Sequence, residues 1–337
     1  MGDRFQMTDR KLRWGVLSTA NIGRAAVNPA IQASANGELV AVASRDAERA
    51  SAFAEQWGIP KSYGAYEALI EDEDVDAVYI PLPNSLHKLW TIRAAQAGKH
   101  VLCEKPLALD AAECLEMQAA ADENGVKLME AFMYRFHPRM DRAVEMVRDG
   151  VVGDLRVIRS AFSFKLTNPA NIRMDAALGG GALMDVGCYC VNSSRTIAGK
   201  EPVEVQAFAR WTAGDVDDQL TGTLRFDDDL TAHFDCSLTT ERCEFFEAAG
   251  TDGVLRVESS FLPGKGDVVI EEMRGRDDAI QHPVTGADEY QLMVEHFADA
   301  ALNNRPLRYT GAEAASNMRV IEALYASARN GGRPVSL

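Results

Sequence analysis

The sequence lacks the clustered basic residues with which nucleic-acid-binding proteins neutralise phosphates. Its 337 residues include 35 lysines and arginines against 50 aspartates and glutamates, which gives a formal net charge of −15 at pH 7. It also lacks an apolar run near the roughly 20 residues that a membrane-spanning helix needs, and residues 1–11 contain no apolar segment of the secretory type. These absences argue against nucleic acid and membrane partners, and predict a cytoplasmic protein with a disordered lead-in at residues 1–11.

Cysteine and histidine are scattered along the chain and form no recognisable metal-binding pattern. The six cysteines include no Cys-x-x-Cys pair, and the six histidines include no His-x-x-x-His spacing. The same scatter argues against a framework of disulfides, and reduced thiols agree with a cytoplasmic location. We therefore expect no metal.

Apolar segments alternate with helical stretches in the first part of the chain. A chain of 337 residues is too long for one ordinary core and predicts two domains. Strands that alternate with helices predict a parallel, doubly wound sheet. We therefore predict an α/β domain of the Rossmann type over residues 12–131. The strands are expected at residues 14–17, 38–43, 75–80, 101–103 and 127–131.

The turn after the first strand occupies the place of the dinucleotide fingerprint Gly-x-Gly-x-x-Gly, but only the third glycine, Gly23, is present. Ser18 and Ala20 stand at the first two positions and are still small, so a pyrophosphate can approach the backbone at the start of the helix. A βαβ unit that binds nothing is the alternative. The expected cofactor contacts in this turn are Ser18, Thr19, Ala20, Asn21 and Ile22.

The end of the second strand distinguishes between the two nicotinamide cofactors. An acidic residue there holds the ribose hydroxyl of NAD, whereas a nearby arginine suits the 2′-phosphate of NADP. Ser44 and Arg45 occupy this place, and Asp46 is better suited to cap the helix that follows. We therefore expect NADP as the cofactor, with NAD possible.

Further cofactor contacts are expected where the third strand ends, because open α/β sheets bind ligands outside the carboxyl ends of their strands. Pro81, Leu82, Asn84 and His87 lie in the loop after that strand. We expect Asn84 and His87 to face the cofactor. A plain helix-capping role is the alternative for His87.

Glu104 and Lys105 directly follow the fourth strand, at the same edge of the predicted sheet. Pro106 fixes its own φ angle and restricts the backbone of Lys105. We expect Lys105 to be held stiffly at the ligand crevice and Glu104 to contact the cofactor. A surface Glu–Lys pair before a helix is the alternative.

An acid and a phenol share one face of a predicted buried helix at residues 180–198. Asp185 and Tyr189 are four positions apart. Hydride transfer to or from an alcohol carbon requires a proton to be removed or delivered, and a cation such as Lys105 would favour the phenolate. We therefore predict that Tyr189 exchanges the proton, that Lys105 lowers its pKa, and that Asp185 orients Lys105 or a substrate hydroxyl. An ordinary core tyrosine bonded to Asp185 is the alternative.

Polar side chains near this helix are candidate substrate contacts, and they suit a sugar or polyol. For two of them, Arg135 and Arg173, a structural salt bridge is the alternative. The candidates beyond the residues just named are Arg135, Lys165, Asn171 and Arg173.

From residue 155 onward, several segments alternate between apolar and polar residues. Period-two alternation indicates strands with one buried face, and such segments occur at five places, followed by two helical patterns. We predict an α+β domain over residues 132–337 with a large, open, mainly antiparallel sheet. The strands are expected at residues 155–164, 203–208, 219–226, 230–236 and 244–250, and the helices at 290–302 and 311–328.

These motifs together resemble the glucose-fructose oxidoreductase, inositol dehydrogenase and rhizopine catabolism (Gfo/Idh/MocA) family. The resemblance depends on Glu104-Lys105-Pro106 and on the run of three glycines at residues 179–181 followed by Asp185 and Tyr189. Tyr189 stands where inositol dehydrogenases have a histidine, which points to the xylose dehydrogenase and dihydrodiol dehydrogenase branch.

The resemblance implies an NAD(P)-dependent oxidoreductase that acts on a hydroxyl or ketone of a sugar or cyclic polyol. It implies catalytic roles for Lys105, Asp185 and Tyr189, a cis proline at Pro106, and a homodimer or homotetramer formed through the C-terminal sheet. A trans-dihydrodiol dehydrogenase and a reductase of nucleotide-linked keto-sugars stay open, and the latter would want a basic, roomier cleft. A non-catalytic cofactor-sensing regulator should lack the lysine and tyrosine pair that is present here.

Overall fold

The structure, a computed structural model, describes residues 10–275 and 278–337, so most of the predicted lead-in (residues 1–9) lies outside the described part. Its first half contains a six-stranded sheet with helices on both faces. The elements in chain order are β1 (Leu12–Leu17), α1 (Asn28–Ala33), β2 (Gly37–Ala43), α2 (Ala47–Trp57), β3 (Lys61–Tyr63), α3 (Tyr66–Ile70), β4 (Ala77–Ile80), α4 (His87–Gln96), β5 (His100–Cys103), α5 (Ala111–Glu123) and β6 (Leu128–Glu130).

All neighbouring strands of this sheet are parallel, in the order β3-β2-β1-β4-β5-β6. This is the Rossmann order, and the predicted fold of the first half is confirmed. The strands read as continuous apolar runs because helices cover both faces, and every residue of β4 is buried. The strand order reverses between β1 and β4, which opens a crevice at their carboxyl ends.

The second half contains a nine-stranded sheet, in the order β14-β13-β12-β11-β7-β10-β9-β8-β15. Its strands pair antiparallel except for β7 with β10, so the mainly antiparallel sheet is confirmed. The elements are α6 (Pro138–Arg148), β7 (Leu155–Ser163), α7 (Cys188–Ala198), β8 (Glu204–Trp211), β9 (Asp217–Arg225), β10 (Thr231–Ser237), β11 (Cys243–Gly250), β12 (Val254–Glu258), β13 (Val268–Arg274), β14 (Asp278–Val284), α8 (Glu289–Leu302), α9 (Gly311–Arg329) and β15 (Val335–Ser336).

One face of this sheet is buried and the other is open. Helix α7 packs on β7 and β10, and α9 packs on β8 and also on α5 of the first half. Side chains of β8, β9 and β10 alternate between buried and exposed, as the period-two pattern predicts. The division into domains at residues 131 and 132 stays a prediction.

Two of the predicted helices begin with a π-helical turn. Residues Gly23–Val27 form such a turn before α1, and Leu183–Gly187 form one before α7. Single π-turns of this kind are frequent at functional sites. Both follow a predicted binding motif, and the second contains Asp185. None of the helices in the described ranges is long and apolar enough to cross a membrane.

Candidate active site

A cavity of about 680 Å³ lies where loops that follow β1, β4 and β5 face the segment leading into α7. Ligand sites of doubly wound sheets occur at this edge. The cavity brings together residues that the sequence places far apart. The predicted site residues that line it are Ala20, Asn21, Ile22, Pro81, Leu82, Asn84, Glu104, Lys105, Asn171, Arg173, Asp185 and Tyr189.

Several predicted contacts lie outside this cavity. Ser18 and Thr19 belong to the turn after β1 but do not line it. Ser44 and Arg45 follow β2, which is the neighbour of β1 in the sheet. Lys165 is exposed in the segment after β7 and does not line the cavity, so its role as a substrate contact stays a prediction.

His87 does not face the cavity, so the expected cofactor contact is wrong. Its side chain is 0% exposed. Nδ1 lies 3.0 Å from the main-chain oxygen of Pro106, and Nε2 lies 2.8 Å from that of Leu82. Leu86 is the N-cap residue of α4, and His87 is its first residue. The imidazole instead lies between two loops. Burial lowers its pKa, so the neutral ring carries one N–H and donates to only one of these two oxygens.

Arg135 is a structural residue and not a substrate contact. Its guanidinium pairs with Glu313 at 3.1 Å and lies 4.2 Å from the ring centre of Tyr309. Neither partner lines the cavity. The salt bridge that the sequence left open as an alternative is the observed arrangement.

The turn after β1 has a shape that suits the pyrophosphate of a dinucleotide. Ser18 adopts a φ of +142°, a backbone region that favours glycine, so the turn keeps this conformation without the first fingerprint glycine. Ala20, Asn21 and Ile22 line the cavity directly before the helical turn that begins at Gly23. Small side chains and a helix start provide free main-chain N–H groups for an anion. The residues present therefore fit a dinucleotide cofactor.

Lys105 reaches across the cavity from the end of β5. Its ammonium nitrogen donates to the main-chain oxygen of Asp185 at 2.8 Å and lies 3.2 Å from Oδ1 of the same residue. The Lys105–Pro106 peptide bond is cis, as the family resemblance implied. Burial alone would lower the pKa of Lys105, but the charges of Asp185 and Glu104 outweigh it and raise this pKa.

Asp185 is held between two cations. Its Oδ2 accepts a hydrogen bond from Nε of Arg173 at 2.5 Å, and its Oδ1 faces Lys105. Burial would raise the pKa of Asp185, yet Lys105 and Arg173 lower it below its ordinary value. Asn171 accepts a hydrogen bond from the main-chain N–H of Arg173 at 3.1 Å and thereby orders the loop that carries it.

Tyr189 lies in an aromatic cluster beside Lys105. Its ring centre is 5.1 Å from that of Phe132 and 5.3 Å from that of Phe162. The hydroxyl donates to the sulfur of Met133 at 3.5 Å, and Nζ of Lys105 lies 5.1 Å from the ring centre. Burial raises the pKa of Tyr189 well above its usual 10. The expected lowering of this pKa by Lys105 is therefore not supported.

Glu104 faces the same cavity. Its Oε1 accepts a hydrogen bond from the hydroxyl of Tyr79 at 2.5 Å. Burial raises the pKa of Glu104, although the positive charge of Lys105 opposes this change. Asn84, on the neighbouring loop, donates to the main-chain oxygen of Gly179 at 2.8 Å and so joins the two walls.

Gly181 allows a buried carboxylate to hold the turn that carries Asp185. Oδ2 of Asp217 accepts a hydrogen bond from the main-chain N–H of Leu183 at 2.8 Å, and Oδ1 accepts one from the hydroxyl of Tyr325 at 2.7 Å. A side chain on Gly181 would meet Oδ1 of Asp217 at 2.2 Å, and its φ of +129° also favours glycine. The glycine run therefore positions the acid and is not merely a flexible loop.

Several cavity residues were not predicted from the sequence. Arg242, at the start of β11, forms a salt bridge with Glu244. Oε1 of Glu244 also accepts a hydrogen bond from the main-chain N–H of Phe261 at 2.7 Å. No local pattern marks these positions, because they lie on elements that only tertiary packing brings to the site. The unpredicted lining residues include Met133, Phe162, Phe164, Arg242, Leu262 and Tyr290.

Comparisons with known proteins agree with this architecture. A family model described as "Oxidoreductase family, NAD-binding Rossmann fold" matches residues 12–132. A second, "GFO/IDH/MocA C-terminal domain", matches residues 140–256. The chain is 42% identical over 324 residues to the D-xylose 1-dehydrogenase (NADP(+)) 2 of Haloferax volcanii, an alignment that covers 95% of this chain and 98% of the relative.

Two further proteins are similar over most of their length. The trans-1,2-dihydrobenzene-1,2-diol dehydrogenase of Mus musculus is 36% identical over 82% of each chain. The crystal structure of a 3-ketoreductase from Actinomadura kijaniata, in complex with NADP and TDP-benzene, matches with a TM-score of 0.90 and 32% identity, covering 94% of this chain and 98% of the other. The chain therefore belongs to the Gfo/Idh/MocA family of oxidoreductases.

Proposed function

We propose that this protein is an NADP-dependent oxidoreductase that interconverts a hydroxyl and a carbonyl group of an uncharged sugar or polyol. The observation that carries the proposal is the meeting of Lys105, Asp185 and Tyr189 in a cavity whose other wall is the dinucleotide-type turn. A non-catalytic cofactor sensor has no need of an ammonium group, a carboxylate and a phenol in contact around one cavity. This argues for catalysis.

The proposed roles follow from the protonation states. A bound nicotinamide supplies the hydride acceptor or donor. Lys105, kept charged beside Asp185, holds the reacting oxygen of the substrate, and Arg173 helps to hold Asp185. Because burial raises the pKa of Tyr189, the phenol retains its proton at neutral pH and suits proton delivery to a carbonyl oxygen. Removal of a proton from an alcohol is favoured as the pH rises.

The charges that line the cavity favour an uncharged substrate. Lys105 and Arg173 both pair with Asp185, and Arg242 pairs with Glu244. Each cation among the described lining residues thus has a carboxylate partner. A nucleotide-linked keto-sugar carries a diphosphate, and charged side chains such as arginine often bind phosphates. The pairing therefore favours a free sugar or polyol, in keeping with the name of the xylose dehydrogenase relative.

Arg45 supports NADP over NAD. It is the second residue after β2, where an acidic residue would bind the ribose hydroxyl of NAD. Oδ1 of Asp46 accepts the main-chain N–H of Arg49 at 3.1 Å, so this acid caps α2 as the sequence predicts. Within the described ranges Arg45 has no carboxylate partner and is exposed. The relative from Haloferax volcanii is named for NADP, and the Actinomadura kijaniata structure contains it.

A trans-dihydrodiol is the second candidate substrate, because one wall of the cavity is apolar. Phe162, Phe164 and Leu262 line it on the side of the second sheet. Such a wall can pack against an unsaturated carbon ring while the two hydroxyls face Lys105 and Tyr189. A relative that is 36% identical is named for this activity.

We further propose that the protein forms a homodimer or homotetramer through the open face of the second sheet. Phe208, on β8, is 62% exposed on this face. Arg159 and Arg256 flank Glu247 at 3.3 and 3.0 Å in a row of charges across the strands. A broad face with both signs of charge and an exposed aromatic ring suits an isologous contact with a second copy.

The proposed activity is tested by assaying a substrate panel with each cofactor. The panel contains D-xylose and other aldoses, polyols, a trans-dihydrodiol and a nucleotide-linked keto-sugar, and reduced nicotinamide is followed by absorbance. We expect oxidation of an uncharged sugar or polyol with a kcat/KM at least about tenfold higher for NADP than for NAD. Exclusive use of the nucleotide-linked substrate would contradict the argument from paired cations, and activity on no alcohol or ketone would contradict the proposal.

A further inference from the structure

We propose that His87 and Glu130 are positioning residues that hold Lys105 in place through the peptide group between Pro106 and Leu107. Neither side chain lines the cavity. Both contact the peptide unit formed by Pro106 and Leu107, which directly follows Lys105. The inference rests on the proposed function, because it assigns these residues a part in placing the proposed catalytic lysine.

The two side chains hold one peptide group by its two polar atoms. In the tautomer that carries the proton on Nδ1, His87 donates to the oxygen of Pro106 at 3.0 Å, and Oε1 of Glu130 accepts a hydrogen bond from the N–H of Leu107 at 2.8 Å. The carbonyl and N–H of a trans peptide unit point in opposite directions. The unit is therefore fixed from both sides, and it can neither rotate nor shift toward one partner without losing the other.

Each of the two residues has a further contact that holds it in place. His87 begins α4, and its Nε2 lies 2.8 Å from the oxygen of Leu82, a residue that lines the cavity. Glu130 ends β6, and its main-chain oxygen accepts the hydroxyl of Tyr309 at 3.0 Å. Exposure is 0% for His87 and 1% for Glu130, so water does not compete for these bonds. The turn after Lys105 is thus connected to rigid elements.

Glu130 is not explained as a satisfied core residue. Its Oε2 has no hydrogen-bond partner among the described residues, although a buried carboxyl group without full pairing destabilises a fold. Only the bond to Leu107 uses its side chain. An apolar side chain of similar length would fill the same space, so the bond to the turn is the feature that distinguishes glutamate here.

The placement matters because Lys105 must meet two acceptors at once. Its ammonium nitrogen lies 2.8 Å from the oxygen of Asp185 and 3.2 Å from Oδ1. A displacement of roughly 1 Å in a reacting group can reduce a rate by about 10²-fold. Loss of the bond to Leu107 or Pro106 would let the turn move by such a distance while the cofactor-binding turn after β1 stays intact.

The test compares variants that keep or remove each bond. Glu130→Gln keeps the Oε1 acceptor, whereas Glu130→Met fills the space without an acceptor. His87→Asn keeps a donor near the position of Nδ1, whereas His87→Leu removes both ring nitrogens. Glu289→Met is the matched control, because Glu289 is a buried glutamate with an unpartnered Oε2 that does not contact this turn.

Two readouts are taken on the full chain. One is kcat and KM with the substrate found in the panel, together with the Kd for NADPH from fluorescence. The other is the rate at which an amine-reactive reagent labels Lys105, followed by peptide mass spectrometry. The labelling does not depend on turnover, so it tests the positioning role even if the proposed activity fails. Thermal unfolding identifies which variants fold.

We expect Glu130→Met and His87→Leu to lower kcat about 10-fold to 100-fold and to leave the Kd for NADPH within about threefold. Labelling of Lys105 should accelerate by a similar factor in both. Glu130→Gln and His87→Asn should recover most of kcat and of the protection, and Glu289→Met should change neither readout. The positioning role is overturned if Lys105 is labelled at the wild-type rate in folded Glu130→Met. If Glu130→Met does not fold, the same result in folded His87→Leu overturns it. A protected Lys105 in a protein without activity on the panel would contradict only the proposed function.

Discussion

The ammonium nitrogen of Lys105 lies 2.8 Å from the main-chain oxygen of Asp185, a residue 80 positions later in the chain. Lys105 follows β5 of the first sheet, and Asp185 lies in the π-turn before α7 that packs on the second sheet. This single contact therefore connects the half that carries the dinucleotide-type turn with the half that carries the phenol of Tyr189. In the proposed mechanism, these groups act together only when both halves are correctly packed.

The proposed roles of Asp185 and Lys105 predict that activity depends on pH. Asp185→Asn removes a charge that raises the pKa of Lys105 against burial, so the pKa of Lys105 falls. The alkaline limb of the kcat/KM profile should move to lower pH, and kcat should fall at least about tenfold because two cations lose their counter-charge. The matched control is Asp175→Asn, an exposed carboxylate that only caps Ala177. A profile unchanged from the wild type would contradict the proposed role of Asp185.

Tyr189→Phe should lower kcat by about 10²–10⁴-fold, the usual contribution of a general acid or base. Because burial raises the pKa of Tyr189, carbonyl reduction should stay level through neutral pH, whereas alcohol oxidation should accelerate as the pH rises. Steady-state assays in both directions measure this. Tyr134→Phe is the control: Tyr134 packs 5.7 Å from the ring of Tyr189 and bonds to Asn192, and it should lose about 1 kcal/mol of stability with kcat within about threefold. Equal kcat values for the two variants would refute the assignment.

Arg45→Ala should weaken the binding of NADP without weakening that of NAD. Loss of a charge-assisted contact to a phosphate costs about 1.5–3 kcal/mol, so the Kd for NADPH should rise about 10-fold to 100-fold. Fluorescence titration with NADPH and NADH measures both constants. Arg142→Ala is the control, since Arg142 is another exposed arginine, on α6. If both Kd values rise together, Arg45 does not read the 2′-phosphate.

The fold of the first half could be predicted because its signals are local. Strands β1, β2, β4, β5 and β6 are apolar runs between helices, and a parallel sheet requires that pattern. Strand β3 and helix α3 were missed, because three and five residues are too short for a periodic signal and β3 lies at the sheet edge. Strand β14 is exposed along most of its length, so it has no alternation to detect.

The candidate site could be predicted only where strand ends determine position. Lys105 was expected at the crevice because it follows a buried strand, and the structure places it there. His87 follows β4 by the same rule, yet its side chain points into the interior, since the chain position does not fix the direction of a side chain. Arg242 and Tyr290 reach the cavity from β11 and α8. Their approach depends on the packing of distant elements, which no local pattern encodes.

The open face of the second sheet makes a prediction about assembly. Phe208→Asp places a charge on the exposed face of β8, and burying an unpaired charge in an interface is strongly unfavourable. Sedimentation velocity should therefore show a dimer or tetramer for the wild type and a smaller species for this variant. Leu89→Asp is the matched control, because Leu89 is 45% exposed on α4 of the other half. A wild type that sediments as a monomer, or two variants that assemble alike, would contradict the proposed interface.

Glu289 makes the stability of the fold depend on pH. Burial raises its pKa from 4.5 to about 9, and nearby Glu244 adds to this effect. The folded state therefore binds a proton that the unfolded state has lost between these two pH values, so the free energy of unfolding decreases as the pH rises through this window. Each pH unit between the two pKa values lowers the free energy of unfolding by about 1.4 kcal/mol, so at pH 7 the retained proton lowers it by roughly 3 kcal/mol.

Glu289→Gln removes this titration. The free energy of unfolding of this variant should exceed that of the wild type by an amount that grows between about pH 5 and pH 9. The difference should be roughly 3 kcal/mol near neutral pH and should level off above pH ~9. Urea unfolding at several pH values measures the difference. Glu145→Gln, at an exposed position on α6, should give a curve parallel to that of the wild type. A Glu289→Gln curve that also runs parallel would mean that the carboxyl group does not retain its proton on folding.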